Sequence, residues 1–202
     1  MFRSLGEQLR KPSGAFGQLV SKMMDARNRE FYENIIRDLD LQAGDKIFEI
    51  GFGTGLGIEL IANHPSVLGV GCSIDGIDLS ELMVQNATKR NQMLIDQGLV
   101  HLQCGDFFTA VFDDESYDKI FCVNVIYFWS NLYKIFKKIH SMLNQDGLFC
   151  LFMIPDKEIA HQRFAEEFFK HPIGKVESEL EKAGFKNIEY RLDKGYYIKA
   201  KK

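Results

Sequence analysis

Apolar positions near the amino end recur at helical spacing: Leu19, Val20, Met23 and Met24, then Phe31, Ile35, Ile36 and Leu39. The stretch Lys11-Pro12-Ser13-Gly14 before them is a breaker. The period then changes. Lys46-Ile47-Phe48-Glu49-Ile50 reads as a buried strand that runs through a glycine cluster into a helical pattern over residues 57–63. A second strand is predicted over 72–77, and a helix over 80–96 with Ser80 as its N-cap. Strands follow at 100–104, 119–123 and 147–154, with a helix over 131–143 between the last two. Residues 164–170 and 173–183 look helical, and Gly184 is placed to stop the second of these. The chain closes on strands at 187–192 and 196–200, joined by a turn at Asp193-Lys194-Gly195.

Strands alternating with helices imply right-handed crossovers and an α/β doubly wound, mostly parallel sheet. The closing pair is linked too tightly for a crossover and is expected to be antiparallel. With 202 residues and 46% hydrophobic content, the chain suits a single domain with a substantial core. Residues 1–44 are expected to form a helical cap and 45–202 the α/β core.

A formal charge of −3 supplies no general attraction to phosphate backbones or anionic lipids, so a nucleic-acid partner is not expected. The amino-terminal stretch, with Arg3, Glu7, Arg10 and Lys11, lacks the apolar run of a secretory signal. The longest apolar run, 120–129, contains Asn124 and is too short to span a bilayer. A cytoplasmic location is the expectation. Cys72, Cys104, Cys122 and Cys150 show no C-x-x-C pairing and the five histidines no ligand spacing, so no metal site is predicted and the thiols read as core residues.

The chemistry concentrates at Glu49-Ile50-Gly51-Phe52-Gly53-Thr54-Gly55-Leu56-Gly57. Glycines between a strand and a helix permit positive φ and close approach of a ligand to the backbone, and free N–H groups at the helix start favour an anion. The dinucleotide fingerprint G-x-G-x-x-G/A fails here: the sixth position is Leu56 counted from Gly51 and Ile58 counted from Gly53. Glu49 stands two positions before the first glycine. A carboxylate there repels a pyrophosphate and favours an ammonium or sulfonium. That charge logic prefers S-adenosylmethionine to a nicotinamide dinucleotide.

The next strand ends at Gly76-Ile77-Asp78-Leu79-Ser80, where Asp78 is placed to accept hydrogen bonds from a ribose diol. An N-terminal helix acid is the structural alternative for Asp78, and Asp75, inside the strand, is the weaker rival. At the third strand tip, Gly105-Asp106-Phe107-Phe108 sets a carboxylate and aromatic rings beside the same crevice, where adenine could meet Asp106 and pack on Phe107. An ordinary Gly-Asp turn is the alternative there.

With these residues in place, the sequence resembles the class I S-adenosylmethionine-dependent methyltransferases, in particular the small-molecule group similar to quinone-biosynthesis enzymes. The resemblance covers about residues 30–155: Glu49 to Gly57, Asp78-Leu79-Ser80 with Met83, Gly105-Asp106-Phe107, and Tyr117-Asp118 leading into Asn124. It departs at Leu143-Asn144-Gln145-Asp146-Gly147, where the family has Leu-x-Pro-Gly-Gly. The resemblance implies a seven-stranded sheet and S-adenosylmethionine as cofactor, with S-adenosylhomocysteine as product. It implies that Glu49 and the loop backbone at Gly51, Phe52, Gly53, Thr54 and Gly55 hold the methionine part. Asp78 would take the ribose, Leu79 and Met83 would line the adenosine pocket, and Gly105, Asp106 and Phe107 would read adenine. Asn124 and Val125, at the fourth strand tip, would lie near the methionine amine.

The acceptor is expected beyond that tip, along Asn124-Val125-Ile126-Tyr127-Phe128-Trp129, with Tyr127 positioning or deprotonating it. Methyl transfer is an in-line displacement that needs positioning more than a universal base, so the absence of a catalytic triad is neutral. Some amino-directed methyltransferases carry Asn/Asp-Pro-Pro-Tyr/Phe here, and this chain keeps only the outer Asn124 and Tyr127. The residues therefore favour transfer to a small-molecule acceptor. The alternatives are a cofactor-binding protein without transferase activity, a nicotinamide oxidoreductase or a nucleic-acid methyltransferase.

Overall fold

The computed structural model describes residues 5–67 and 71–202. Arg3 lies outside the described residues. Helix α1 (Leu5–Arg10) and the long α2 (Gly14–Asp38) are separated at Pro12 and Ser13, where the Ser13 backbone is extended and its N–H is accepted by the Gln8 side chain at 2.9 Å. The core follows as β1 (Lys46–Ile50), α3 (Leu56–Ala62), β2 (Ser73–Asp78), α4 (Glu81–Arg90), α5 (Gln92–Asp96), β3 (Val100–Cys104) and β4 (Tyr117–Val123). Next come α6 (Leu132–Met142), β5 (Leu143–Met153), α7 (Asp156–Ala160), α8 (Ile173–Ala183), β6 (Lys186–Leu192) and β7 (Tyr196–Lys201).

The strands form one sheet in the order β3-β2-β1-β4-β5-β7-β6, parallel except that β7 runs antiparallel to both neighbours. The direction of winding reverses between β1 and β4, so a crevice opens beyond their carboxyl ends. Side-chain alternation along the strands feeds two cores. Phe48, Ile50, Ile120 and Phe149 pack with Ile135 and Phe136 of α6 and Val176 and Leu180 of α8. On the opposite face, Ile47, Ile74 and Phe121 pack with Phe31 and Ile35 of α2 and Ile58 and Ile61 of α3. The result is the expected three-layer α/β sandwich with an antiparallel closing hairpin.

Several local expectations differ. The helix predicted over 80–96 divides at Asn91, whose side-chain amide donates to the carbonyls of Gly55 and Ala87 at 3.1 Å each. Residues 164–170 contain only a single 3-10 turn, Arg163–Ala165, and the Lys170 ammonium donates to the carbonyls of Ala165 and Glu166. Leu19 and Met23 are 57% and 66% exposed, so α2 buries its second half more deeply than its first. Three cysteines are buried, but Cys104 is exposed on the edge strand. Among the described residues, no helix is long and apolar enough to cross a membrane, and no His/Cys/Asp/Glu group could hold a metal.

No helix covers the β3–β4 connection. Lys138, from α6, holds that loop instead, donating to the carbonyls of Phe107 and Ala110 with its ammonium 4.9 Å from the Phe107 ring centroid. Burial lowers the Lys138 pKa, and nearby Asp106 opposes that shift.

Candidate cofactor and acceptor site

The turn after β1 takes left-handed backbone at Gly51 (φ 72°), Gly53 (φ 54°) and Gly55 (φ 77°). At Gly51 a Cβ would lie 2.6 Å from Cγ2 of Val125, so a side chain is excluded by conformation and by space. At Gly53 nothing lies within 4 Å of that position, and the backbone is open to a ligand. The turn is tied to β2 by the Gly51 N–H, which donates to the Ile77 carbonyl at 2.8 Å, and by the Gly53 N–H, which donates to Oδ2 of Asp78 at 2.9 Å. Oδ1 of Asp78 accepts the Ser80 N–H at 2.8 Å. Burial raises the Asp78 pKa, and these two N–H groups oppose the rise. Each carboxylate oxygen keeps a lone pair for a further donor.

A cavity of about 290 Å³ opens over these strand ends. Of the residues singled out in the sequence, Gly51, Gly53, Asp78, Leu79, Met83, Gly105, Asp106, Phe107, Asn124 and Val125 line it together. Glu49, Phe52, Thr54 and Gly55 are not on its wall. Glu49 shares a strand face with Ile47, pointing toward α2 and α3, and a Cβ on Gly57 would fall 2.8 Å from its carboxylate. Its carboxylate is fully buried, with no hydrogen bond of ordinary geometry. Burial pushes its pKa up to about 8, a rise that the nearby Tyr32 hydroxyl opposes and Asp78 reinforces. Phe52 sits in the core against Gly76. Gly55 abuts Ala87 and Asn91.

Thr54 serves as a tether. Its hydroxyl donates to Asp25 of α2 and accepts from Arg90 of α4 at 2.6 Å, while Arg90 pairs with Asp25 at 2.6 Å. The cluster clamps α2 and α4 onto the glycine turn. Nothing in the spacing of 25, 54 and 90 announces it. Leu9, Arg10, Pro12 and Met24 supply another part of the cavity wall, and Trp129, Ser130 and Asn131 a further one. The Ser80 hydroxyl donates to the Pro12 carbonyl at 2.6 Å, pinning the amino-terminal segment beside Asp78.

At the fourth strand tip, Asn124 is itself left-handed (φ 59°), a conformation asparagine tolerates better than most residues. Its side-chain amide donates to Oδ1 of Asn28 at 3.2 Å, and its own Oδ1 accepts from the Tyr127 hydroxyl at 3.1 Å. That hydroxyl also accepts the Ile154 N–H. Burial raises the Tyr127 pKa well above the usual phenol range, so the hydroxyl is a fixed strut and poorly suited to act as a base. Phe168 stacks near its ring at 6.0 Å, and Phe128 stands edge-on to both.

A second cavity, of about 120 Å³, adjoins the first. The two share Leu9, Met24, Asn124 and Phe128. The second adds Arg27, Asn28, Tyr127, Ile154, Glu158 and Phe168 among others.

The first cavity fits S-adenosylmethionine. It offers two carboxylates, an open glycine backbone and the apolar Leu79, Met83 and Phe107, as a cationic nucleoside requires. Comparison with known proteins agrees. The chain is 27% identical over 174 residues to an uncharacterized methyltransferase, YdaC, of Bacillus subtilis, covering 86% of this chain and 90% of that protein. Its fold matches a chain from the Haloferax volcanii complex of the Trm112 methyltransferase activator with a methyltransferase (TM-score 0.79, 16% identity, covering 100% of this chain and 99% of that one). It also matches a SAM-dependent methyltransferase from Aquifex aeolicus (TM-score 0.71, 18% identity, covering 90% and 96% of the two chains). Residues 48–151, half of the chain, match the methyltransferase domain family. The chain belongs to that family, and it is a class I S-adenosylmethionine-dependent methyltransferase.

Proposed function

We propose that the enzyme transfers the methyl group to a small-molecule acceptor held in the second cavity. The observation that carries this reading is the shared wall: Asn124 and Phe128, with Leu9 and Met24, border both chambers. A donor in one and an acceptor in the other would meet across that border.

The bound cofactor supplies a methyl carbon activated by the adjacent sulfonium. In this reading Asp78 takes the ribose hydroxyls on its remaining lone pairs, and Gly51 and Gly53 present backbone along the methionine part. Leu79, Met83 and Phe107 enclose adenine, with Gly105 and Asp106 beside its amino edge. Asn124 and Val125 border the sulfur end. Tyr127 acts as a positioning residue by fixing the Asn124 side chain. Glu49, Phe52, Thr54 and Gly55 support the turn from behind. Helix α1 and the Pro12 segment close over the crevice as a lid and exclude water. A cytoplasmic location, expected from the sequence, belongs to the same proposal.

The test is turnover of methyl-labelled S-adenosylmethionine against a panel of small amines, phenols, thiols and carboxylic acids. Acceptor-dependent formation of S-adenosylhomocysteine together with a labelled small product supports the reading. Label appearing only on protein or nucleic acid, when these are added to the panel, contradicts it.

A further inference from the structure

The second cavity carries opposite charges that are not spent on each other. Arg27 projects from α2 and Glu158 from α7, and each lines the chamber. Both act electrostatically on the Tyr127 hydroxyl, with opposite sign. Neither side chain forms a hydrogen bond or ion pair with another described residue. Most of the rest of the wall is apolar or already satisfied: Phe128, Phe164 and Phe168 present rings, the Tyr127 hydroxyl is committed, and Asn124 and Asn28 bond to each other.

A ligand with one charge meets an attractive group and a repulsive group in the same chamber. A ligand with both charges meets two attractive ones. A guanidinium offers a fork of donors to a carboxylate or phosphate, and a carboxylate beside aromatic faces suits an ammonium. The chamber's volume, about 120 Å³ against about 290 Å³ for the first cavity, restricts the occupant to something smaller than the cofactor.

Resting on the reading of this cavity as the acceptor chamber, we infer that the acceptor is a small amphoteric molecule, an amine that also bears a carboxylate or phosphate. Arg27 takes its anionic group and Glu158 its ammonium. The two residues act on specificity and leave cofactor binding to the first cavity.

The experiment is calorimetric titration of the full chain saturated with S-adenosylhomocysteine. The probes are 3-aminopropionate and 2-aminoethyl phosphate, with propionate and ethanolamine as single-charge controls. At least one amphoteric probe is expected to bind about tenfold or more tightly than either control, and the better of the two identifies the anion. Arg27→Gln and Glu158→Gln are each expected to weaken that probe about tenfold while leaving S-adenosylhomocysteine affinity and melting temperature unchanged. Both residues are exposed, so the variants should fold. Amphoteric probes that bind no better than the controls, or variants that bind them like the parent, overturn the inference and leave the methyl-transfer reading standing. Failure of S-adenosylhomocysteine itself to bind overturns both.

Discussion

The Asp78 carboxylate accepts the Gly53 N–H at 2.9 Å, joining the tip of β2 to the middle of the glycine turn. One side chain thus shapes the turn and faces the cavity at once. Replacing Asp78 with Ala is expected to weaken S-adenosylhomocysteine binding by roughly 1–3 kcal/mol, the cost of losing hydrogen bonds to a charged acceptor. Calorimetry reads this directly. Unchanged affinity contradicts a ribose role.

Gly51 and Gly53 are both left-handed, yet their surroundings differ. Gly51→Ala adds strain of about 1–2 kcal/mol and drives a Cβ into Val125. Pairing it with Val125→Ala is expected to recover part of that loss in urea unfolding. Gly53→Ala carries the strain alone, but its methyl group enters the open cavity. It should therefore impair cofactor binding more than its stability loss explains. Equal behaviour of the two alanine variants in stability and binding contradicts this distinction.

Arg90 donates to the Thr54 carbonyl at 3.2 Å and to its hydroxyl at 2.6 Å while pairing with Asp25. The pair is about one-quarter exposed, so solvent screening limits its worth. Arg90→Ala is expected to cost about 1–2 kcal/mol in urea unfolding. Arg90→Lys should recover only part, because an ammonium lacks the fork that engages Thr54 and Asp25 together. Full recovery by lysine shows that charge alone suffices and contradicts the geometric role.

Burial places the Glu49 carboxyl at about 8 in the folded chain, against 4.5 when free. Between those values the folded chain retains a proton that the unfolded chain has lost. Stability therefore falls as pH rises through that window. Glu49→Gln removes this dependence. Between about pH 5 and about pH 8, the parent should lose roughly 1–3 kcal/mol more unfolding free energy than the variant. Parallel profiles contradict a protonated Glu49. Asp78, raised in the same direction, contributes a slope of the same sign to both proteins.

The sheet was legible because its strands are short apolar runs bounded by turn residues, and their tips carry the acids that mark the crevice. Asp78 and Asp106 emerged from position alone. Glu49 illustrates where linear reading falls short. Its place before the glycines suggested a cavity wall, yet period-two alternation puts it on the face of Ile47, behind the turn. Thr54 likewise faces Asp25 and Arg90, partners set by how α2 and α4 dock. Leu9, Arg10 and Pro12 reach the cavity only through tertiary packing, partly through the Ser80–Pro12 contact. The divided helix at Asn91 has the same origin, since its amide bonds to Gly55 across space.

In this reading, acids and bare backbone at the strand ends select a cationic nucleoside over a diphosphate one. Calorimetric titration of the unmodified chain with S-adenosylhomocysteine, S-adenosylmethionine and NADH tests it most directly. One bound molecule per chain is expected for each of the first two, and no detectable heat of binding for NADH. Saturable binding of NADH at comparable affinity, or silence with both sulfur nucleosides, would contradict it.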